Sequence, residues 1–273
     1  SSITSKDGYI NSSIKTLNGA VATVASTGAM QSILLSYFGR VQYAFDGKYL
    51  FSASLRRDGS TRFGTNTKWG LFPSLSIGWR LSDENFMKSL SFINDLKLRG
   101  SFGTAGNNNI GDYSSISVLG IYNYSANGIS APGQAPKNIV NPDLRWEKSR
   151  TYDVGLDFGL FGSRVTGSFD WYTRKSSDLL LNVPAMYVTG FGSYLNNAGE
   201  LKSNGWDLEI TSHNIKKADF SWSTSFNISH SANKVTKLDG NQKDLLIPSS
   251  FDIQHSLLRV GEPMYSIYVV QQN

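Results

Sequence analysis

The sequence predicts an all-β chain: an antiparallel sheet whose strands cross a lipid bilayer as part of a barrel. Three observations predict it. Apolar residues recur at every second position over eight segments. The connections between those segments alternate between short and long. Aromatic residues gather near the segment ends.

The first segment puts Tyr37, Val41, Tyr43 and Phe45 on one face and Arg40 and Gln42 on the other, which is strand periodicity. Asp46-Gly47-Lys48 supplies a tight turn. The second groups Tyr49, Phe51, Ala53 and Leu55 against Ser52, Ser54 and Arg56. The third groups Leu71, Pro73, Leu75, Ile77, Trp79 and Leu81, and Pro73 is expected near a strand end or bulge because proline cannot donate to a ladder. Ser82 is expected to cap one short helix over Asp83 to Leu90. Leu96, Leu98 and Phe102 form the fourth face, opposite Lys97, Arg99 and Ser101.

The second half repeats the pattern. Tyr152, Val154, Leu156, Phe158 and Leu160 oppose Asp153, Asp157 and three further small or polar residues. After Phe161-Gly162-Ser163, Val165, Phe169 and Trp171 oppose Arg164, Ser168 and Asp170. Trp206, Leu208 and Ile210 oppose Asp207 and Glu209, and Phe220, Trp222, Phe226 and Ile228 oppose a run of Ser and Asn. Most segments approach the roughly 9 to 11 residues that span a bilayer at a tilt.

Short links at Asp46 to Lys48, Phe161 to Ser163 and Ser212 to Asp219, with a moderate one at Ser82 to Asp95, fall at one end of such a sheet. Long links at Arg57 to Lys68, Thr104 to Arg150, Arg174 to Gly205 and beyond His230 fall at the other. That is the rhythm of short periplasmic turns and long extracellular loops. A soluble β-sandwich also alternates, but it would bury a mixed aliphatic core rather than place Tyr37, Phe45, Tyr49, Trp79, Phe102, Tyr152, Trp171, Trp206 and Phe220 near strand ends.

Composition narrows the chemistry. The 273 residues contain no cysteine, which removes disulfides, thiolate metal sites and cysteine nucleophiles. Charged residues make up 17%, and the net charge of +5 is not gathered into a nucleic-acid footprint. No apolar run is long enough for a membrane helix, and Ser1 to Gly8 show no export signal. The charges on the polar faces are too many for the narrow interior of an eight-stranded barrel, and Tyr265 to Asn273 reads as the start of another strand. The chain is therefore expected to be a contiguous piece, about eight or nine strands, of a larger barrel.

Specific strings add a resemblance. Tyr37-Phe38-Gly39-Arg40-Val41-Gln42-Tyr43, Lys48 to Gly64 with its Arg56-Arg57-Asp58-Gly59-Ser60-Thr61-Arg62-Phe63-Gly64 end, and Trp69-Gly70-Leu71-Phe72-Pro73-Ser74 are three of them. The series continues with Ile93 to Gly103, Gly106-Asn107-Asn108-Asn109-Ile110-Gly111 and Asn141-Pro142-Asp143-Leu144-Arg145-Trp146-Glu147-Lys148. It closes with Asn197-Ala198-Gly199-Glu200-Leu201 and Arg259-Val260-Gly261-Glu262-Pro263. In this order they resemble the barrel of SusC-like (SusC/RagA-type) TonB-linked outer-membrane transporters. The resemblance implies a plugged barrel of about 22 strands in the bacterial outer membrane, importing oligosaccharides or, in some members, peptides. It also implies energy from TonB, ExbB and ExbD through a plug, and a SusD-like surface lipoprotein as lid. Residues 1–36 then read as an upstream barrel or loop segment, and 37–273 as a partial barrel without the plug and the remaining strands.

Such transport needs no bond-making residue, no metal and no cofactor. Asn107, Asn108, Asn109, Tyr113, Tyr122, Tyr124 and, in the later loop, Tyr187, Phe191 and Tyr194 are the ligand-facing candidates, because aromatic faces stack on sugars or peptide groups and amides hydrogen-bond. Asn127, Pro132 and Gln134 belong to the same long loop. Contact with the lid, or packing among loops, is the competing role for these residues. Arg56, Arg62, Arg99, Asp153, Asp157 and Asp170 are the candidates for lining the lumen or meeting the plug, with Arg164 as the expected charge partner of the aspartates. His213, His230 and His255 form no zinc-ligand spacing. A passive pore and a surface adhesin remain the alternatives.

Overall fold

The computed structural model describes residues 30–126, 128–238, 244–247 and 256–267. Ser1 to Gly8, Asn127, His255, Tyr268 to Asn273 and most of the expected 1–36 segment lie outside the described residues. In chain order the strands are β1 (Leu34–Phe45), β2 (Tyr49–Ser60), β3 (Trp69–Arg80) and β4 (Ile93–Asn107), then β5 (Leu119–Ala126) and β6 (Ile129–Pro136), a hairpin. β7 (Glu147–Leu160) and β8 (Val165–Ser177) are followed by a second hairpin, β9 (Leu180–Pro184) and β10 (Ser193–Asn197). β11 (Gly199–Lys216), β12 (Ser221–Leu238), β13 (Asp244–Ile247), β14 (Ser256–Arg259) and β15 (Ser266–Ile267) complete the series.

Eight of these form one antiparallel sheet in the order β1-β2-β3-β4-β7-β8-β11-β12. All eight expected segments are present, and the sheet is unclosed, as a piece of a barrel should be. Its short connections share one end and its long ones the other. β4, β8, β11 and β12 run well past their alternating cores, because small and polar residues at the loop end extend the ladders without carrying an apolar alternation.

The register keeps one parity across the sheet. Phe51 lies opposite Ile77, Ile77 opposite Gly100, Gly100 opposite Val154, Val154 opposite Trp171, and Trp171 opposite Trp206. A slip of one residue would turn a strand inside out. This continuous apolar face is exposed, with Val41, Ile77, Val154 and Phe226 between 49% and 65% accessible. Among the described residues, none of the buried hydrophobic ones belongs to it and no second sheet covers it, which weighs against the sandwich. Aromatic pairs mark both edges. Phe45, Tyr49 and Trp79 adjoin at 6.2 Å, and Phe92 and Phe161 at 6.1 Å, at the turn end. Tyr37 stacks on Trp69 at 6.1 Å at the loop end.

Two expectations are corrected. Residues 81–90 form no α-helix. Two 3-10 turns, Leu81–Asp83 and Asn85–Met87, occupy the segment, and Ser82 caps neither. The acidic carboxylate there serves a neighbouring strand pair instead. Tyr49 Oη donates to Glu84 Oε1 at 2.7 Å, Trp79 Nε1 donates to the same atom at 3.1 Å, and Lys48 Nζ lies 3.6 Å from Glu84 Oε2. Pro73 sits inside β3, opposite Leu55, rather than at a strand end. The ladder to β4 begins only at Ser74, so the missing N–H falls where no partner strand requires it.

Two outcomes are expected. Leu156→Arg, midway along the apolar face of β7, should cost about 2–4 kcal/mol of insertion stability, whereas Ser229→Arg on the polar face should cost less than half as much. Folding titrations of the full-length barrel in lipid vesicles measure both. The Tyr49 hydroxyl and the Trp79 indole hold the Glu84 carboxyl below the usual carboxylate range. Its contribution is therefore complete above about pH 4.3 and disappears as pH falls through the lowered folded value. Protection factors over residues 81–90, taken relative to the intrinsic exchange rate at each pH, should fall on acidification, and Glu84→Gln should flatten that dependence.

Candidate functional site

The long loops fold over the polar side of the sheet and share a hydrophobic core. Phe63 from the β2–β3 loop, Phe72 from β3, and Ile110, Leu144 and Trp146 from the β4–β7 connection form it, with Leu180 and Leu195 of the β9–β10 hairpin packed alongside. Trp146 is 3% exposed, meets Phe63 at 5.1 Å and Phe72 edge-on at 5.4 Å, and donates its indole N–H to the Lys68 carbonyl at 2.9 Å. Thr67 Oγ1 donates to the Leu144 carbonyl at 2.7 Å. Pro142 lies so close to Gly64 that a side chain there would strike its carbonyl oxygen.

Polar side chains complete the junction. Asn141 Nδ2 donates to the Leu195 carbonyl and to Asn196 Oδ1, while Asn197 Nδ2 donates to the carbonyls of Arg145 and Asp178. Arg145 pairs with Asp178 at 2.7 Å. Arg62 Nε donates to Asp112 Oδ1 at 2.8 Å, and its Nη1 donates to the Asn108 carbonyl at 3.2 Å. The strings Arg56 to Gly64, Gly106 to Gly111, Asn141 to Lys148 and Asn197 to Leu201 thus meet at one place, the loop rim. A second loop core joins Val235, Leu238, Leu245 and Leu258, and the Arg259 to Pro263 string docks on β12 through Gly261 N to Val235 O and Val235 N to Glu262 O.

The ligand-facing candidates divide. Asn107 is the last residue of β4, paired with Glu147, and its side chain accepts from the Asn109 N–H, so it is a strand residue and not a loop one. Asn108 is turned inward, donating from Nδ2 to the buried Ser60 hydroxyl at 3.3 Å. Asn109 is exposed. Tyr113 adopts a left-handed backbone (φ 65°), and its hydroxyl accepts from the Gln31 N–H. Tyr122 and Tyr124 share one face of the β5–β6 hairpin, where their rings lie over the open positions of Gly120 and Gly133, and both are more than half exposed. Tyr187 is 96% exposed at the tip of the β9–β10 hairpin, whereas Phe191 and Tyr194 are half-buried.

On the polar wall the partner of the aspartates is Arg99, not the expected Arg164, which lies at the β7–β8 turn. Arg99 forks onto Asp157 at 2.8 and 2.9 Å and reaches Asp170 at 2.9 Å. Arg99 is on β4 and Asp170 on β8, so this pair must pass over β7. Gly155 lies between them in register, and a Cβ there would collide with both side chains. Lys97 stands 3.8 Å from Asp157, and Asp153 occupies the same wall. Arg56 pairs with the buried Asp58 at 2.8 Å.

The role of Trp146 could not be read from spacing, because its partners Phe63, Lys68 and Phe72 lie far back in the sequence, in the β2–β3 loop and β3. Its truncation to alanine should cost about 3–5 kcal/mol locally. Hydrogen exchange should accelerate at 61–68, 108–112 and 178–197 while the eight-stranded ladder keeps its protection.

Comparison with known proteins agrees with this geometry. Residues 4–257 match the family described as TonB dependent receptor-like, beta-barrel. The chain is 39% identical over 265 residues to TonB-dependent receptor P39 of Formosa agariphila, covering 95% of this chain and 24% of that protein. It is 37% identical over 257 residues to TonB-dependent receptor SusC of Bacteroides thetaiotaomicron, covering 89% of this chain and 26% of that one. Among solved structures, that of the RagAB peptide transporter superposes with a TM-score of 0.78 at 30% identity, covering 85% of this chain and 25% of that one. The chain thus spans about a quarter of the length of these relatives. It belongs to the TonB-dependent receptor β-barrel family, of the SusC/RagA type, and is a segment of an outer-membrane barrel.

Proposed function

We propose that the chain forms part of the wall and external rim of a plugged, TonB-dependent importer of oligosaccharides. The observation that carries this reading is the rim itself. A hydrophobic core locks three loops together, while Tyr122, Tyr124 and Tyr187 stay exposed beyond it, offering ring faces above a fixed base. Sugar rings present C–H faces that stack on such side chains, and Asn109 stands exposed at the end of β4 as an amide donor and acceptor.

On this reading the substrate binds at the rim. A plug supplied by the parent protein outside this chain is then rearranged by a pull from TonB, ExbB and ExbD, and the charged wall around Arg99, Asp157 and Asp170 lines the opened path or holds the plug. A SusD-like lipoprotein closes the rim from outside, and the exposed Met186-Tyr187-Val188 tip is a contact it could use. No residue is assigned bond-making chemistry. Residues 37–273 are a part of the barrel, and the remaining strands and the plug belong to the rest of the parent. A peptide substrate is the second reading, favoured by the likeness to a structure described as a peptide transporter.

Deleting the parent gene should abolish growth on one class of oligosaccharide, with peptide uptake unchanged. The reverse pattern would select the second reading, and uptake that survives a protonophore would indicate a passive pore. Tyr122→Ala with Tyr124→Ala should lower substrate affinity about 5- to 150-fold, each ring contributing about 0.5–1.5 kcal/mol, in equilibrium binding to the intact transporter.

A further inference from the structure

Four cations stand side by side on the apolar parity of the sheet, just beyond its loop-end aromatics. Arg150 lies opposite Lys175, Lys175 opposite Lys202, and Lys202 opposite Lys234. Two residues along β7 from Arg150 is Tyr152, and four residues from Lys175, Lys202 and Lys234 are Trp171, Trp206 and His230, which are themselves cross-strand neighbours. All four cations are exposed.

Like charges directly opposite in a sheet repel. With strands about 4.8 Å apart, four cations within about 14 Å form an unfavourable row unless something anionic covers it. The protein supplies one carboxylate: Glu200 lies 2.7 Å from Lys175, and no other ion pair to this row occurs among the described residues. Among the described residues the loops bury the opposite face, at Phe72, Ser176 and Val235, and Gly261 comes near the row at the Lys234 stem. On the cations' own face, Arg57 lies over Trp69 at 4.6 Å, a further exposed cation beside the same aromatic edge.

We infer that Arg150, Lys175, Lys202 and Lys234 form a binding row for the phosphate groups of a phosphorylated glycolipid in the outer leaflet. Aromatic side chains at a barrel edge mark the headgroup level. Cations displayed outward at or just beyond that level meet phosphoryl oxygens, and a phosphate accepts charge-assisted hydrogen bonds from several ammonium and guanidinium groups at once. The bound anion offsets the repulsion that the register imposes, so the row fixes both the barrel's height in the membrane and the lipid around it.

The test uses the full-length transporter in phosphatidylethanolamine nanodiscs carrying bis-phosphorylated lipid A or its dephosphorylated counterpart, with retained lipid read by native mass spectrometry. The wild type should retain the phosphorylated form at least 10-fold better. The combined variant Arg150→Gln, Lys175→Gln, Lys202→Gln and Lys234→Gln should lose that preference, while Arg150→Lys should keep it. Inorganic phosphate at millimolar concentration should not displace the lipid; displacement would assign the row to free anions and overturn the lipid proposal. Lys202→Glu supplies an internal counter-charge to Lys175 and Lys234, so it should raise the melting temperature in detergent and still abolish the preference. Equal retention of both lipids by the wild type, or an unchanged preference in Lys202→Glu, would overturn the inference whether or not the fourfold variant folds.

Discussion

Hydrocarbon offers a peptide group no hydrogen-bond partner, so a chain that crosses it as strands must satisfy every N–H and C=O from a neighbouring strand. Here that requirement fixes one register across eight strands, and the register does the rest. It aligns the apolar side chains into a single sheet-wide face, gathers the aromatics at its two edges, and puts Arg99, Asp157 and Asp170 within reach of one another on the other side. Pro73 shows how little slack there is, since it is accommodated only where a ladder has not yet begun.

Period-two alternation made the sheet readable from sequence, because lipid on one side and polar surroundings on the other leave few exceptions to it. The strand extensions toward the loops were not readable. There both faces carry polar residues, and alternation ceases to distinguish strand from loop, as in Glu147 to Arg150 and Lys202 to Asn204. The β5–β6 and β9–β10 hairpins were hidden for a related reason: they are short, and proline and glycine interrupt their pattern. Acidic residues after Ser82 imitated a helix start, but Glu84 is committed to Tyr49 and Trp79, contacts that alternation cannot reveal.

The site was legible in a different way. The strings Arg56 to Gly64, Gly106 to Gly111 and Asn141 to Lys148 stood out as a resemblance, without any sign that they touch. The structure supplies a physical reason for their composition. Trp146 and Leu144 fill a core, Gly64 makes room for Pro142, and Asn141 and Asn197 tie off carbonyls that no strand satisfies. Arg164 illustrates the opposite case: it lay nearer in sequence to the aspartates than Arg99, yet the bridge runs across β7 because Gly155 leaves the gap.

The rim core also has a bearing on how such a barrel matures. Phe63 precedes β3, while Leu180 and Leu195 arrive only after β8 has been laid down, so the cluster draws on segments more than 100 positions apart. Contacts of that separation close slowly. During biogenesis the mouth should consequently stay open until most of this sheet has zipped up, leaving the loops accessible to chaperones or proteases for longer than the strands that bear them.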